Sequence, residues 1–306
     1  MSRTVAVLQG GWSSEREVSL MGSGQIADAL RTAGYDVRQI DVRRDLAALI
    51  ADLTPLPDIA YNALHGPYGE DGCVQGVLEY LGIPYSHSGV LASALAMNKP
   101  MAKHIFETDG IPCAPHRLVT RAMFDAGDTM DFPYVLKPLN EGSSVGVRIV
   151  RDAADAACIG DAAWAYGDTV MIEKFIDGRE LTVSVMGDRA LGVTELRPLS
   201  GFYDYEAKYT DGKTEHLVPA PIHAEAYALA MDYALRAHRA LGCRGVTRSD
   251  FIYDDSDGEP GSLFILEVNT QPGMTPLSLV PEQARHVGID FGELVTWMVE
   301  NAACDG

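Results

Sequence analysis

Apolar residues along the first ninety or so positions come in short runs separated by helical patterns. "TVAVLQ" at 4–9 reads as a buried strand, and Gly-Gly turns the chain after it. Ser14 and Glu17 have capping-box spacing, so a helix is expected to open there and run to about Ala33. A strand at about 36–42, a helix at 44–53, a strand at 58–64 and a helix at 73–81 ending at Gly82 follow. Strand–helix alternation of this kind predicts a parallel sheet with helices on its faces. Ligands of such sheets sit beyond the carboxyl ends of the strands. Two polar stretches fall there, "GGWSSERE" after the first strand and "HGPYGEDG" after the third.

The pattern changes near residue 95. "PYVLKP" at 133–138 and "VGVRIV" at 145–150 flank a Gly-Ser loop and read as two antiparallel strands. A helix at 152–165 and a strand at 169–175 come next. A third segment, from about 179, holds strands at 180–187 and 190–197 and a Tyr-rich polar loop at 201–215. The strongest helical period follows at 224–241, with Gly242 past its end. Strands at 246–253 and 263–269 and a last helix carrying Phe291, Leu294, Val295, Met298 and Val299 on one face complete the chain. Three units are therefore expected, 1–95, 96–178 and 179–306, the first a parallel α/β domain and the other two α+β.

Composition narrows the partners. With 24 basic and 43 acidic residues the net charge is −19, which argues against a nucleic-acid partner. The five cysteines, at 73, 113, 158, 243 and 304, form no CxxC or Cys/His cluster and read as reduced thiols. The opening run "VAVL" is too short for a signal peptide or a membrane span, so a cytoplasmic protein is expected.

The chemistry concentrates near the C-terminus. In "GVTRSDF", Arg248 and Asp250 are two apart and share one face of a strand. In "LFILEVN", Glu267 and Asn269 also share a face, while Phe264, Leu266 and Val268 are expected to point into the core. Pairing the two strands would bring two carboxylates and an amide oxygen together without His or Cys. That donor set suits Mg²⁺ or Mn²⁺ rather than Zn²⁺. The plainer alternative is a half-exposed sheet with a polar outer face. A Gly/Pro loop, "NTQPGMTP", follows directly and can bring backbone N–H groups to a substrate.

"KPLNEGSSVGV" is not a P-loop, because its lysine precedes the glycines and no GK[ST] opens a helix after them. Its small residues still suit phosphate. Lys137 ends the preceding strand, and Lys99 stands near the start of a helix, where the dipole also favours an anion. "MIEKFIDGRE" offers a strand edge for a purine and acidic groups for ribose hydroxyls.

In this order the motifs "LQGGWSSEREVSL", "ALHGPYGEDG", "KPLNEGSSVGV", "IEKFIDGRE", "FYDYEAKY" and "LEVNTQPGMTPLSLVP" resemble the ATP-grasp superfamily, and within it the D-alanine–D-alanine ligase family, over essentially the whole chain. The resemblance implies an ATP-grasp fold and ligation of two D-alanine molecules through an acyl phosphate, with ATP as co-substrate and two Mg²⁺ or Mn²⁺ ions. It implies ATP contacts at Lys99, Lys137, Glu141, Gly142, Ser143, Ser144, Glu173, Lys174, Phe175, Ile176, Glu180 and Lys208, and metal ligands at Asp250, Glu267 and Asn269. Glu15 would take the ammonium of the first D-alanine, with His65 near it. Ser278 and Leu279 would take the carboxylate of the second. Arg248 and the Gly273 N–H would face the oxyanion, and Ser143 and Tyr209 would join Glu15 in a closing network. A homodimer is implied as well. Gln271 departs from the pattern, standing where a small residue is common. Another ATP-grasp carboxylate–amine ligase, a D-alanine–D-lactate ligase, or a nucleotide-binding protein without turnover are the alternatives.

Overall fold

The structure, a computed structural model, describes residues 2–140, 142, 146–159, 164, 166–198, 213–275 and 277–305. Five of the expected site residues, Glu141, Ser143, Ser144, Lys208 and Tyr209, lie outside the described residues.

The elements run β1 (Thr4–Gly10), α1 (Arg16–Thr32), β2 (Asp36–Val42), α2 (Leu46–Asp52), β3 (Ile59–Asn62), α3 (Cys73–Leu81), α4 (Val90–Met97) and α5 (Lys99–Thr108). They continue with β4 (His116–Thr120), α6 (Arg121–Asp125), β5 (Tyr134–Lys137), β6 (Arg148–Val150), α7 (Ala153–Ala157) and β7 (Thr169–Lys174). The remainder is β8 (Arg179–Met186), β9 (Arg189–Pro198), β10 (Thr214–Leu217), α8 (Ala224–Ala240), β11 (Val246–Asp254), β12 (Ser262–Asn269), α9 (Leu279–His286) and α10 (Phe291–Glu300).

They build three sheets. The first has the order β2-β1-β3 and is parallel, as the alternating pattern requires. The second, β4-β7-β5-β6, is antiparallel and includes the predicted β5–β6 pair. The third, β10-β9-β8-β11-β12, is antiparallel throughout. α8 lays Ala226, Ala230, Ala234 and Ala237 on the third sheet, its small side chains allowing close approach. α10 packs elsewhere: Leu294, Val295, Met298 and Val299 share one core with Val5 and Val7 of β1 and Tyr61 of β3. The last helix thus completes the core of the first sheet.

Four expectations need correction. The Ser14/Glu17 capping box does not form. α1 begins at Arg16 with Glu15 in the cap position, and the Ser13 hydroxyl accepts from the Glu15 N–H at 3.2 Å. The cause is that Glu15 has turned inward and is buried. A capping box forms instead at Asp290 and Glu293, at the start of α10. Second, Phe264 and Leu266 do not face the core. A bulge between Asp250 and Phe251 shifts the register, so Leu263 and Ile265 are buried before it and Val268 after it. Third, the segment with Glu173 is no sheet edge, because β7 is paired on both sides, to β4 and to β5. Fourth, the helix drawn at 152–165 is short, spanning Ala153–Ala157 among the described residues. α4, β4 and α6 were not foreseen, since their apolar spacing is too brief to set a period.

Candidate active site

One cleft gathers Glu15, His65, Lys99, Gly142, Arg248, Glu267, Asn269, Gly273, Ser278 and Leu279. Most stand near the end of an element or in the loop beyond it. β1 and β3 end side by side, and the turns after them bring Glu15 and His65 to the cleft. Gly66 and Gly11, at φ of 72° and 75°, make those turns possible. A Cβ on Gly66 would come within 2.9 Å of the Glu15 carboxylate, so this position tolerates no side chain.

Glu15 sits at the positive end of α1, where a carboxylate is favoured. His65 is buried and its Nδ1 lies 3.1 Å from Glu70 Oε1. Burial works against its imidazolium. The Glu70 hydrogen bond, the charges of Glu70 and Glu15 and the Gln271 backbone outweigh burial, and the His65 pKa is raised. The result is an acidic pocket with a buried imidazole paired to Glu70 at its wall. Gly142 comes close to both acids: a Cβ there would be 3.6 Å from Glu15 and 4.0 Å from Glu70.

Across the cleft, β11 and β12 pair as the sequence pattern requires, with Asp250 opposite Glu267 and Arg248 opposite Asn269. Arg248 donates to both Asp250 oxygens, Nε to Oδ1 at 2.9 Å and Nη2 to Oδ2 at 2.8 Å. The Thr182 hydroxyl adds a 2.7 Å bond to Asp250 Oδ1. The guanidinium plane is therefore fixed before any substrate arrives. Glu267 is partly exposed and lies 3.7 Å from Lys99 Nζ. Lys99 opens α5, whose cap is the Asn98 side chain accepting from the Met101 N–H at 3.1 Å. The Asn98 amide also donates to Asn140 at 3.0 Å, tying this helix start to the strand exit after β5.

The loop from Asn269 to Ser278 is held from within. Asn269 Oδ1 accepts from the Gln271 N–H at 2.7 Å, and Ser278 Oγ accepts from the Thr275 N–H at 2.9 Å. A Cβ on Gly273 would press on Ser278 Oγ at 2.9 Å, so the seat of the Ser278 hydroxyl against this backbone depends on glycine. Gln271 is buried: its Oε1 accepts from Asn62 Nδ2 at 2.6 Å and its Nε2 donates to the Leu64 carbonyl. The residue that departs from the family pattern thus joins the loop to the end of β3.

The residues expected to contact the nucleotide do not all meet in this cleft. Lys137 and Glu173 form an ion pair to one side of it, and Lys174 to Ile176 and Glu180 lie on the passage from β7 to β8, between the second and third sheets. Glu70 and Lys103 were missed. Each had a readable signal: Glu70 is the acid of "HGPYGEDG", and Lys103 follows Lys99 by one helical turn.

Residues 105–300 match the family model described as D-ala D-ala ligase C-terminus, and residues 48–88 match D-ala D-ala ligase N-terminus. The chain belongs to the D-alanine–D-alanine ligase family. It is 58% identical over 302 residues to a D-alanine–D-alanine ligase of Acidiphilium cryptum, covering 99% of each chain. A relative of the same name from Rhodospirillum rubrum is 55% identical over 306 residues, the full length of both. Among solved structures, the D-alanine–D-alanine ligase from Bacillus anthracis complexed with ATP superposes with a TM-score of 0.83 at 34% identity, covering 98% of this chain and 97% of that one. The VanG D-Ala:D-Ser ligase from Enterococcus faecalis superposes at 0.82 with 28% identity, covering 98% and 99%. The fold is accordingly that of the ATP-grasp ligases.

Proposed function

We propose that the cleft between the first and third sheets binds two D-alanine molecules, with ATP between the second and third sheets. The chain is an ATP-dependent ligase that joins two D-alanine molecules into D-alanyl-D-alanine, a building block of peptidoglycan. The observation that carries the residue assignment is the convergence of Glu15 and His65 with Lys99, Arg248, Glu267, Asn269 and Gly273 on one cleft.

Glu15 receives the ammonium of the first D-alanine, and His65 beside Glu70 completes that wall. The carboxylate of this D-alanine attacks the γ-phosphoryl of ATP. The two anions repel, so cations must neutralise them and hold them in line. Lys99, Lys137 and Lys208 do this. The acyl phosphate must be kept from water, which is the task of the 140–147 loop, whose Gly142 already lies against Glu15 and Glu70. The Ser278 and Leu279 end of α9 receives the carboxylate of the second D-alanine. As its amine attacks, charge grows on the acyl oxygen, towards which Arg248 and the Gly273 N–H point. The backbone of Glu173 to Ile176 takes adenine, Glu180 the ribose, and Glu141, Ser143 and Ser144 the phosphates. Tyr209 and Ser143 close the network on Glu15.

Asp250, Glu267 and Asn269 are oxygen donors alone, and Glu267 opens to the cleft, so the set fits two Mg²⁺ or Mn²⁺ ions. Such ions, when bound, offset the charge of the triphosphate. Asp250 has a second duty here, as the partner that orients Arg248. The same reading takes the working form to be a cytoplasmic homodimer. Among the described residues no helix is long and apolar enough to cross a membrane.

The test is phosphate release from ATP in the presence and absence of D-alanine, with Mg²⁺. Release should require D-alanine and be matched by dipeptide, and Glu267→Ala should abolish it without unfolding the protein. Near-normal turnover by Glu267→Ala would refute the metal assignment, and release indifferent to D-alanine would refute the substrate.

A further inference from the structure

Behind the cleft lies a buried group of three charges. Glu173, on the inner strand β7, is 2% exposed, and its two carboxylate oxygens meet two different lysines. Oε1 pairs with Lys103 of α5, and Oε2 with Lys137 at the end of β5. The Lys103 side chain is 0% exposed, whereas that of Lys137 is 12% exposed. Lys103 Nζ also reaches the Ile265 carbonyl of β12 at 3.4 Å, so this one ammonium touches the second and the third sheet.

A buried carboxylate needs one counter-ion to be tolerated. Glu173 has two, and the group carries a surplus positive charge. The surplus has a use if one lysine is meant to leave. Lys137 is the one that can, since it is the more exposed and stands at a strand end beside the Gly-Ser loop. Lys103 cannot, being enclosed and tied to Ile265. We propose that Lys103 is a positioning residue for the ATP site: it is the fixed counter-ion of Glu173, and it frees Lys137 to transfer from Glu173 to a nucleotide phosphate. This proposal rests on the assignment of Lys137 as a phosphate ligand.

Before nucleotide binds, Glu173 is shared. The two lysines hold it ionised against the effect of burial, its pKa pushed down to about 2. After Lys137 moves, Lys103 and Glu173 remain as a neutral buried pair, and no charge is stranded. Without Lys103, the departure of Lys137 would leave a buried, unpaired carboxylate. Glu173 would then either hold Lys137 back or take up a proton. At pH 7 the second escape costs a factor of about 500 for a carboxyl of ordinary pKa, which sets a ceiling on the loss of ATP affinity. The other titratable groups facing Glu173 are Cys113, from the segment before β4, and His116, opposite it in register on β4 with Nδ1 on the Ala114 carbonyl.

The experiment compares Lys103→Met, Lys137→Met, Glu173→Gln and the double variant Lys103→Met/Glu173→Gln. Lys103→Met should raise the KM for ATP roughly ten- to a hundredfold at pH 7 and change kcat at saturating ATP by less than about threefold. The defect should shrink as the pH falls towards 5, because Glu173 can then accept its proton more cheaply. With Glu173→Gln in place Lys103 has no charge to balance, so the double variant should match Glu173→Gln alone in its KM for ATP to within about threefold. A folded Lys103→Met with unchanged KM for ATP overturns the proposal, and so does a defect that does not depend on pH. Where Lys103→Met yields no folded protein, the double variant decides: a KM for ATP equal to that of Glu173→Gln alone supports the counter-ion role, and a higher one overturns it. Lys137→Met separates the two levels. If it leaves the KM for ATP unchanged, the assignment of Lys137 itself has failed. If it raises that KM while folded Lys103→Met does not, the counter-ion role alone has failed.

Discussion

Gln271 offers the sharpest test of how the cleft is held together. Replacing it with alanine removes an acceptor 2.6 Å from Asn62 Nδ2 and the donor to the Leu64 carbonyl. Gln271 is 1% exposed, so water does not readily replace these bonds. Asn62 keeps its bond to the Gly69 carbonyl at 2.9 Å, which softens the loss on that side. A buried group left unpaired costs about 1–3 kcal/mol, and two are affected, one of them partly. Truncation also empties the space of an amide and a methylene, which adds about 1 kcal/mol. The expected destabilisation is therefore about 3–5 kcal/mol, measured by urea unfolding followed through intrinsic fluorescence. The variant should also loosen catalysis, since the same loop carries Gly273 and its backbone contacts His65. Assayed below its unfolding range, Gln271→Ala should raise the KM for the first D-alanine and lower kcat by roughly tenfold, while the KM for ATP moves little. A loss under about 1 kcal/mol with unchanged D-alanine kinetics would refute the idea that this side chain joins the two halves of the cleft.

Arg248→Lys should lower kcat by about 10²–10³, because an ammonium cannot hold both Asp250 oxygens and face the acyl oxygen at once; unchanged kcat with normal ATP binding would exclude that role. His238, buried against Thr247 Oγ1 at 2.8 Å, has its pKa pushed down to about 4, first by burial and then by the charge of Arg239. The unfolded chain therefore binds the proton first as pH falls, so this contribution is complete above about pH 6.5 and is lost between there and pH 4, by roughly 3 kcal/mol. Thermal unfolding from pH 7 to 4.5 should show the decline, and His238→Gln should flatten part of it; an identical slope in the variant would remove His238 as the cause. Tyr209→Phe should raise the ratio of ester to amide when D-alanine and D-lactate compete, read by chromatography of labelled products; an unchanged ratio would show that Tyr209 does not set the choice.

Much of this architecture is written in local patterns. β2 falls where the apolar run places it, and α3 ends at Gly82 in the left-handed conformation that glycine favours. Two-residue spacing was enough to put Arg248 with Asp250 and Glu267 with Asn269. What stayed hidden depends on pairings that a sequence does not print. The bulge beside Asp250 swaps the buried set of β12, and no residue type announces it. Glu173 reads as part of a strand edge until the strand order places β7 inside its sheet and the side chain between two lysines. Gln271 was visible as an exception, but its purpose needed Asn62 and Leu64, more than two hundred positions away.

The docking of α10 on the first sheet has a consequence for how the protein is made. The Tyr61 hydroxyl donates to the Met298 sulfur at 3.3 Å across 237 positions of chain. Ribosomes add about 5–20 residues per second, so β1 and β3 emerge roughly 10–50 seconds before the helix that covers them. Through that interval Val5, Val7 and Tyr61 have no Leu294, Val295, Met298 or Val299 to lie against. The first sheet is thus the earliest part to be synthesised and among the last to be sealed. Nascent chains stalled before Phe291 should be captured by holding chaperones at this face, which Ile26 and Leu30 of α1 cover only in part, and release should follow only once Glu300 has cleared the exit tunnel.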